Sequence, residues 1–212
     1  MARDVKRSYD STGRTRQAQE NRDRISRVAH DLFVERGYGN TTIAGVAKAA
    51  GVSQETVYKA FGNKAALLRS AWFVMMRGDA EDTPLYDRPQ TQEVLERPEL
   101  ADRIDGFARL ITERNRRIAP LLRAVDSAAA AEPGAREMLD TWKTRLTDVA
   151  TRFAHAAAET EQLAIPEDEC RDITYAMLDG ALWYRLVVER GWTDERYAEW
   201  LSIQWRRQFT GA

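Results

Sequence analysis

Apolar residues recur along most of the chain at intervals of three and four, the spacing of a helix with one buried face. Ile25, Val28, Ala29, Leu32 and Phe33 follow this period and predict a helix over residues 16–36. Gly37 ends it, and Tyr38 is placed to fold back on its last turn. Ile43, Val46, Ala47 and Ala50 give a second, much shorter helix one apolar face, with Thr41 or Thr42 as its cap. Gly51 ends that helix, Val52 plugs the corner, and Ser53 caps a third helix that buries Val57 and Phe61. Gly62-Asn63 breaks the chain again. Asn63 can cap a fourth helix over residues 64–80, with Leu67, Leu68, Ala71 and Met75 on one face.

Beyond this point the punctuation changes. Gly78, Pro84, Pro89 and Pro98 mark residues 78–98 as a loop with one short helix over 90–96. Helices are expected over 99–117, 118–131 and 134–161, with Pro120 in the first turn of the second or at a kink. After Ile165-Pro166, the acidic run Glu167, Asp168, Glu169 suits a helix N-terminus. That helix is expected to run to about residue 190 and stop at Gly191, and the last one, capped by Thr193 or Asp194, to reach 209. No stretch alternates as a strand does, so the expected fold class is all-α.

Residues 41–64, TTIAGVAKAAGVSQETVYKAFGNK, therefore read as two short helices joined by a tight turn. The second leaves Gln54, Glu55, Thr56, Tyr58 and Lys59 free to face outward. This is the pattern of a helix-turn-helix, whose second helix lies in the DNA major groove. Gln can pair with adenine, Glu with the cytosine amine, Lys with guanine, and the Thr methyl with thymine. Lys64 stands at a helix N-terminus, where a cation opposes the helix dipole; a phosphate shared with free backbone N–H groups would resolve that conflict.

Three pieces carry a resemblance: LF-x-x-x-GY at residues 32–38, AAGVS at 49–53 and TVYKAF-x-x-K at 56–64. In this order and at these separations, residues 24–68 resemble the N-terminal domain of tetracycline-repressor (TetR) family transcriptional regulators. The similarity continues more loosely through APLLRAV at 119–125 and VVERGWTDERYAEWL at 187–201, and is least over 75–98. The resemblance implies phosphate contacts from Tyr58 and Lys64, and a homodimer on a pseudo-palindromic operator; in Thr42 a cap and a phosphate contact are compatible, and Ser53 is a further candidate DNA-binding residue. The resemblance also implies a repressor released by a small molecule. Ala44, Gly45 and Ala60 are smaller than the residues common at these places in the family, which removes possible contacts.

Charge supports the same division. The net charge of −1 conceals thirteen basic against seven acidic residues in 1–72, a balance of +6, and −7 in the remainder. Only the first part is expected to meet a polyanion. The first dozen residues read as a mobile basic arm. A single cysteine, Cys170, excludes an internal disulfide and fits a reducing cytoplasm. No secretory signal and no run of ~20 apolar residues is present, so a cytoplasmic location is expected.

Nothing calls for catalysis, a cofactor or a metal. His30 and His155 are isolated, and metal-ligand spacings, a Gly-rich phosphate loop and a G-x-S-x-G elbow are absent. The expected organisation is a helix-turn-helix domain over 1–72 and a ligand-sensing, dimerising helical bundle over 73–212. Large mid-helix residues that face inward by periodicity are candidate pocket walls: Phe107, Leu110, Trp142, Leu146, Met177 and Trp183. Arg114, Arg116 and Arg117 hint at an anionic ligand, against the plainer reading of a solvated basic face. The dense aromatic surface of the last two helices, including Trp192, Tyr197, Trp200, Leu201 and Trp205, suits either packing within the chain or a two-fold interface. A DNA-binding regulator with no small-molecule effector, and a helical-bundle enzyme, are the alternative classes.

Overall fold

The computed structural model describes residues 11–77 and 85–211, with side chains over 16–75 and 86–211. The expected basic arm lies almost wholly outside the described residues, as do 78–84 of the expected loop. The described residues form helices and no strand. In chain order these are α1 (Ser11–Asn40), α2 (Ile43–Ala50), α3 (Gln54–Phe61) and α4 (Lys64–Arg77). A 3-10 turn (Leu85–Asp87) and a short α5 (Pro89–Leu95) lead to the long α6 (Leu100–Ala129) and α7 (Pro133–Ala158). Next come α8 (Glu167–Leu178), the single turn α9 (Ala181–Trp183), a π-helical segment (Tyr184–Glu189) and α10 (Asp194–Phe209).

The end of α1 shows how local chemistry sets the first domain. Gly37 has φ 74° and ψ 171°, a region only glycine occupies without strain, so the helix axis breaks there. Tyr38 then folds back and stacks on Phe33 at 5.8 Å, as expected. The two threonines divide their tasks. Thr41 is buried, and its hydroxyl is shared between the carbonyls of Leu32 and Gly37, at 3.0 and 2.8 Å. Thr42 is the cap of α2, accepting from the Gly45 N–H at 3.0 Å.

Two expected boundaries are corrected. Residues 99–117 and 118–131 are not separate helices, because α6 runs unbroken through Pro120. Proline removes one backbone hydrogen bond, but the neighbouring Ile118, Ala119 and Leu121 are buried and packing holds the helix together. The single helix expected over 167–190 is interrupted after Leu178 instead. Gly180 sits at φ 85°, and the Asp179 carboxylate accepts from the Ala181 N–H at 2.8 Å to start the chain turning again.

The core of the second part is aromatic. Phe107 of α6 stacks on Phe153 of α7 at 4.3 Å, and Trp205 of α10 stacks on both at 5.8 and 5.9 Å. Tyr197, Leu201 and Phe209 of α10 are also fully buried within the chain. Packing within the chain therefore accounts for much of the aromatic density of the last helices. The remaining apolar surface there is Val188 and Ile203, exposed by 48% and 39%, with Trp192 and Trp200 half-buried and packed edge to face.

Candidate nucleic-acid interface and effector cavity

The first domain presents α3 outward. Val57 and Phe61 bury one side of it, and Ala47 and Ala50 of α2 lie in the same core. Gly51, with φ 65° and ψ 35°, turns the chain between the two helices, and its neighbour Val52 donates to the Ala47 carbonyl at 3.0 Å. Ser53 caps α3 by accepting from the Thr56 N–H at 3.1 Å, and the Ser53 and Thr56 hydroxyls bond each other at 2.9 Å. The caps set the start of α3, and its buried pair sets its rotation. Gln54, Glu55, Thr56, Tyr58 and Lys59 are all exposed on the opposite side, with Tyr58 exposed by 52%.

Two arginines of α1 hold this unit in place, a role invisible to local pattern because their partners are distant in the chain. Arg24 donates to the Ala50 carbonyl at 2.6 Å, at the end of α2. Arg22 donates to the Ala60 carbonyl and lies over the Phe61 ring at 4.5 Å, at the end of α3. Both place a cation at a helix C-terminus, where free carbonyls and the dipole favour one.

Lys64 is half-buried. Its ammonium donates to the Tyr38 carbonyl at 2.8 Å and sits 4.1 Å over the Tyr38 ring. The cation that seemed misplaced at the start of α4 is thus stabilised by the α1 corner. Asn63 caps α4, accepting from the Ala66 N–H at 2.8 Å.

The same corner touches the second part of the chain. The Tyr38 hydroxyl donates to Glu132 at 2.9 Å, between α6 and α7, and burial with this bond raises the Tyr38 pKa. Along α4, the Arg69 guanidinium lies so close to Gly134 that a Cβ there would stand 2.7 Å from it. Trp72 meets Trp142 of α7 edge to face at 5.6 Å. Helix α4 runs without a break through residue 72 and carries this seam.

Trp142 also lines a partly open cavity of about 510 Å³ between α6, α7, α8 and the turn after it. Its apolar wall includes Leu122, Leu139, Trp142, Leu146, Tyr175 and Tyr184. Of the residues singled out by periodicity, Trp142 and Leu146 are on this wall. Phe107 is in the aromatic core, Leu110 and Met177 are half-buried beside it, and Trp183 is buried with its indole N–H donating to Asp194 at 2.7 Å. A larger and shallower groove of about 620 Å³ lies between α6 and α10. Within it Asp105 accepts from Ser202 and Arg206, and Arg116 pairs with Asp194 at 4.0 Å.

Arg114 is the residue whose environment the sequence least foretold. It is buried, not part of a solvated basic face, and its guanidinium donates to Asn115 Oδ1 at 3.0 Å and to the Leu178 carbonyl at the end of α8. Desolvation pulls its pKa down to about 10, so it remains charged at neutral pH. Among the described residues no group of histidine, cysteine and carboxylates could hold a metal, and no helix is long and apolar enough to cross a membrane.

Comparison with known proteins agrees with this geometry. An HTH-type transcriptional regulator of Staphylococcus aureus (strain USA300) is 38% identical over 60 residues, 28% of this chain and 31% of that protein. The chain therefore aligns with less than a third of that relative's length. A protein from Saccharomonospora viridis described as a transcriptional regulator, solved in complex with choline, shares the fold. Its TM-score is 0.71 at 20% identity, over 90% of this chain and 98% of that one. NalD, the secondary repressor of the MexAB-OprM multidrug efflux pump in Pseudomonas aeruginosa, aligns with a TM-score of 0.59 at 19% identity over 91% and 98% of the two chains. Residues 25–71 match the family model described as bacterial regulatory proteins, tetR family. Over residues 25–71 the chain is thus similar to the bacterial regulatory proteins of the tetR family.

Proposed function

We propose that the chain is a cytoplasmic, homodimeric repressor that binds a pseudo-palindromic DNA operator and is released from it by a small molecule. The observation that carries this reading is the outward face of α3, fixed by its caps and by Val57 and Phe61. Gln54, Glu55, Thr56 and Lys59 are the candidates for base edges. Thr42, Ser53, Tyr58 and Lys64 flank them and are the candidates for phosphates. Lys64 gives one ammonium proton to Tyr38 and keeps two for a phosphate.

The cavity supports the effector part. A ligand shifts an equilibrium only by binding one state better than another. Trp142 is shared between the cavity wall and the contact with Trp72 of α4, so occupancy and the placement of α4 are linked through one side chain. The choline in one structural relative and the repressor role of another are in keeping with this reading. Val188, Ile203, Trp192 and Trp200 are the surface offered to a second copy, and a dimer is what two major-groove helices require.

Two results are expected. Lys64→Ala weakens binding to all duplexes about equally and lowers the slope of log affinity against log salt by about one; Tyr58→Phe weakens it without sequence preference. Affinity titrations at several salt concentrations measure both, and an unchanged Lys64→Ala slope contradicts the phosphate role. Compounds that raise the melting temperature through the cavity lower DNA affinity in a release assay. If stabilising compounds leave DNA affinity unchanged, the cavity binds ligands and does not control the reading domain.

A further inference from the structure

We infer that the effector carries a carboxylate, which is bound behind Trp142 by Arg114 and Asn115. This rests on the reading of the α6–α8 cavity as an effector site and names the chemistry that site takes.

The buried centre beside the cavity has an excess of donors. Arg114 is 8% exposed, and among the described residues no carboxylate forms an ion pair with it. Its bond to the Leu178 carbonyl caps α8, a task that a neutral amide could perform without burying a charge. Asp179, whose charge supports the guanidinium, is already committed to the Ala181 N–H. Two further buried donors are unpartnered: Asn115 Nδ2 and the Trp142 indole N–H. Neither atom can act as an acceptor, so the missing partner is an acceptor. The buried Tyr197 hydroxyl faces the Asn115 amide without reaching hydrogen-bond geometry, and adds a third unsatisfied group.

This centre is one residue deep behind the cavity wall. The Arg114 guanidinium lies 5.4 Å from the Trp142 ring, and Trp142 lines the cavity. Gly180 lines it too, and a Cβ there would stand 3.6 Å from the Asn115 side chain and 3.0 Å from Ala119. The wall is therefore reduced to backbone at that point and to a single indole beside it. A rotation of Trp142 joins the cavity to the three donors, and the apolar wall receives the rest of the ligand. Of the charged residues on the lining, Asp126, Arg123, Lys143 and Arg185 are exposed and solvent screens their preference, while the half-buried Asp179 carboxylate accepts from the Ala181 N–H and supports the Arg114 charge. The buried cation sets the choice.

The test compares head groups on matched bodies. Hexanoate and 3-phenylpropanoate, the alcohols of the same skeletons, and the corresponding trimethylammonium ions are titrated into the full chain by calorimetry and thermal shift. The acids are expected to bind about tenfold or more tightly than their partners. Trp142→Phe, which keeps an apolar ring and removes the indole donor, and Arg114→Gln should each erase that preference. If Arg114→Gln does not fold, Trp142→Phe and the native comparison still decide. Alcohols or trimethylammonium ions binding as well as the acids overturns the carboxylate assignment and leaves the effector site standing. If no probe binds, the cavity is not an effector site and both readings fall.

Discussion

Leu201→Glu will leave no cooperatively folded protein, whereas Trp200→Glu will give a folded chain that no longer self-associates. The two residues are adjacent on α10 but face different surroundings. Leu201 is fully buried within the chain, beside Tyr197 and Trp205. An unpaired carboxylate there costs several kcal/mol, roughly, against a total stability of about 5–15 kcal/mol for a domain. Trp200 is half-buried, with Trp192 at 6.2 Å and Tyr197 at 5.7 Å, and part of its ring faces outward. Sequence periodicity placed both among the candidates for a contact between subunits, and only the packing separates them. Circular dichroism and sedimentation equilibrium distinguish the outcomes. A folded Leu201→Glu chain, or a Trp200→Glu variant that self-associates as the native chain does, contradicts the assignment of these faces.

Gly37→Ala is expected to lower stability by about 1–3 kcal/mol and the melting temperature by several degrees. Space is not the reason, since a Cβ at Gly37 meets nothing within 4 Å. The cost lies in the backbone, with φ 74° and ψ 171°, a combination closed to other residues. This one bend aims Tyr38 at Phe33, Lys64 and Glu132 together. DNA affinity should therefore fall along with stability, as the corner that supports Lys64 loosens. Thermal unfolding followed by duplex titration checks both, and an unchanged melting temperature contradicts a rigid corner.

What could be read from the sequence divides by range. The helix-turn-helix was legible because its determinants are local: Gly51, Ser53, Val57 and Phe61 lie within eleven residues and each has one structural meaning. The helix boundaries around Pro120 and Gly180 were not, because propensity competes there with packing. Pro120 is overridden by buried neighbours, while at the end of α8 Arg114, 64 residues earlier, takes the Leu178 carbonyl. The seam between the two parts was equally hidden. Tyr38 and Glu132 are 94 residues apart, and neither pattern nor composition marks them as partners. Periodicity found Trp142 and Leu146 as inward-facing, but it cannot tell a cavity wall from the filled core where Phe107 lies.

On the reading proposed above, α3 of two copies reads a specific, two-fold symmetric DNA site. Selection of bound sequences from a random duplex pool by the full chain tests this most directly. An inverted repeat should be enriched, with half-site centres about 10–10.5 base pairs or a multiple of that apart. Enrichment should be lost when Gln54, Glu55, Thr56 and Lys59 are replaced together by alanine, while weak, salt-sensitive binding remains. A pool that emerges unenriched, or an enriched site that the fourfold variant binds as tightly as the native chain, would contradict that reading.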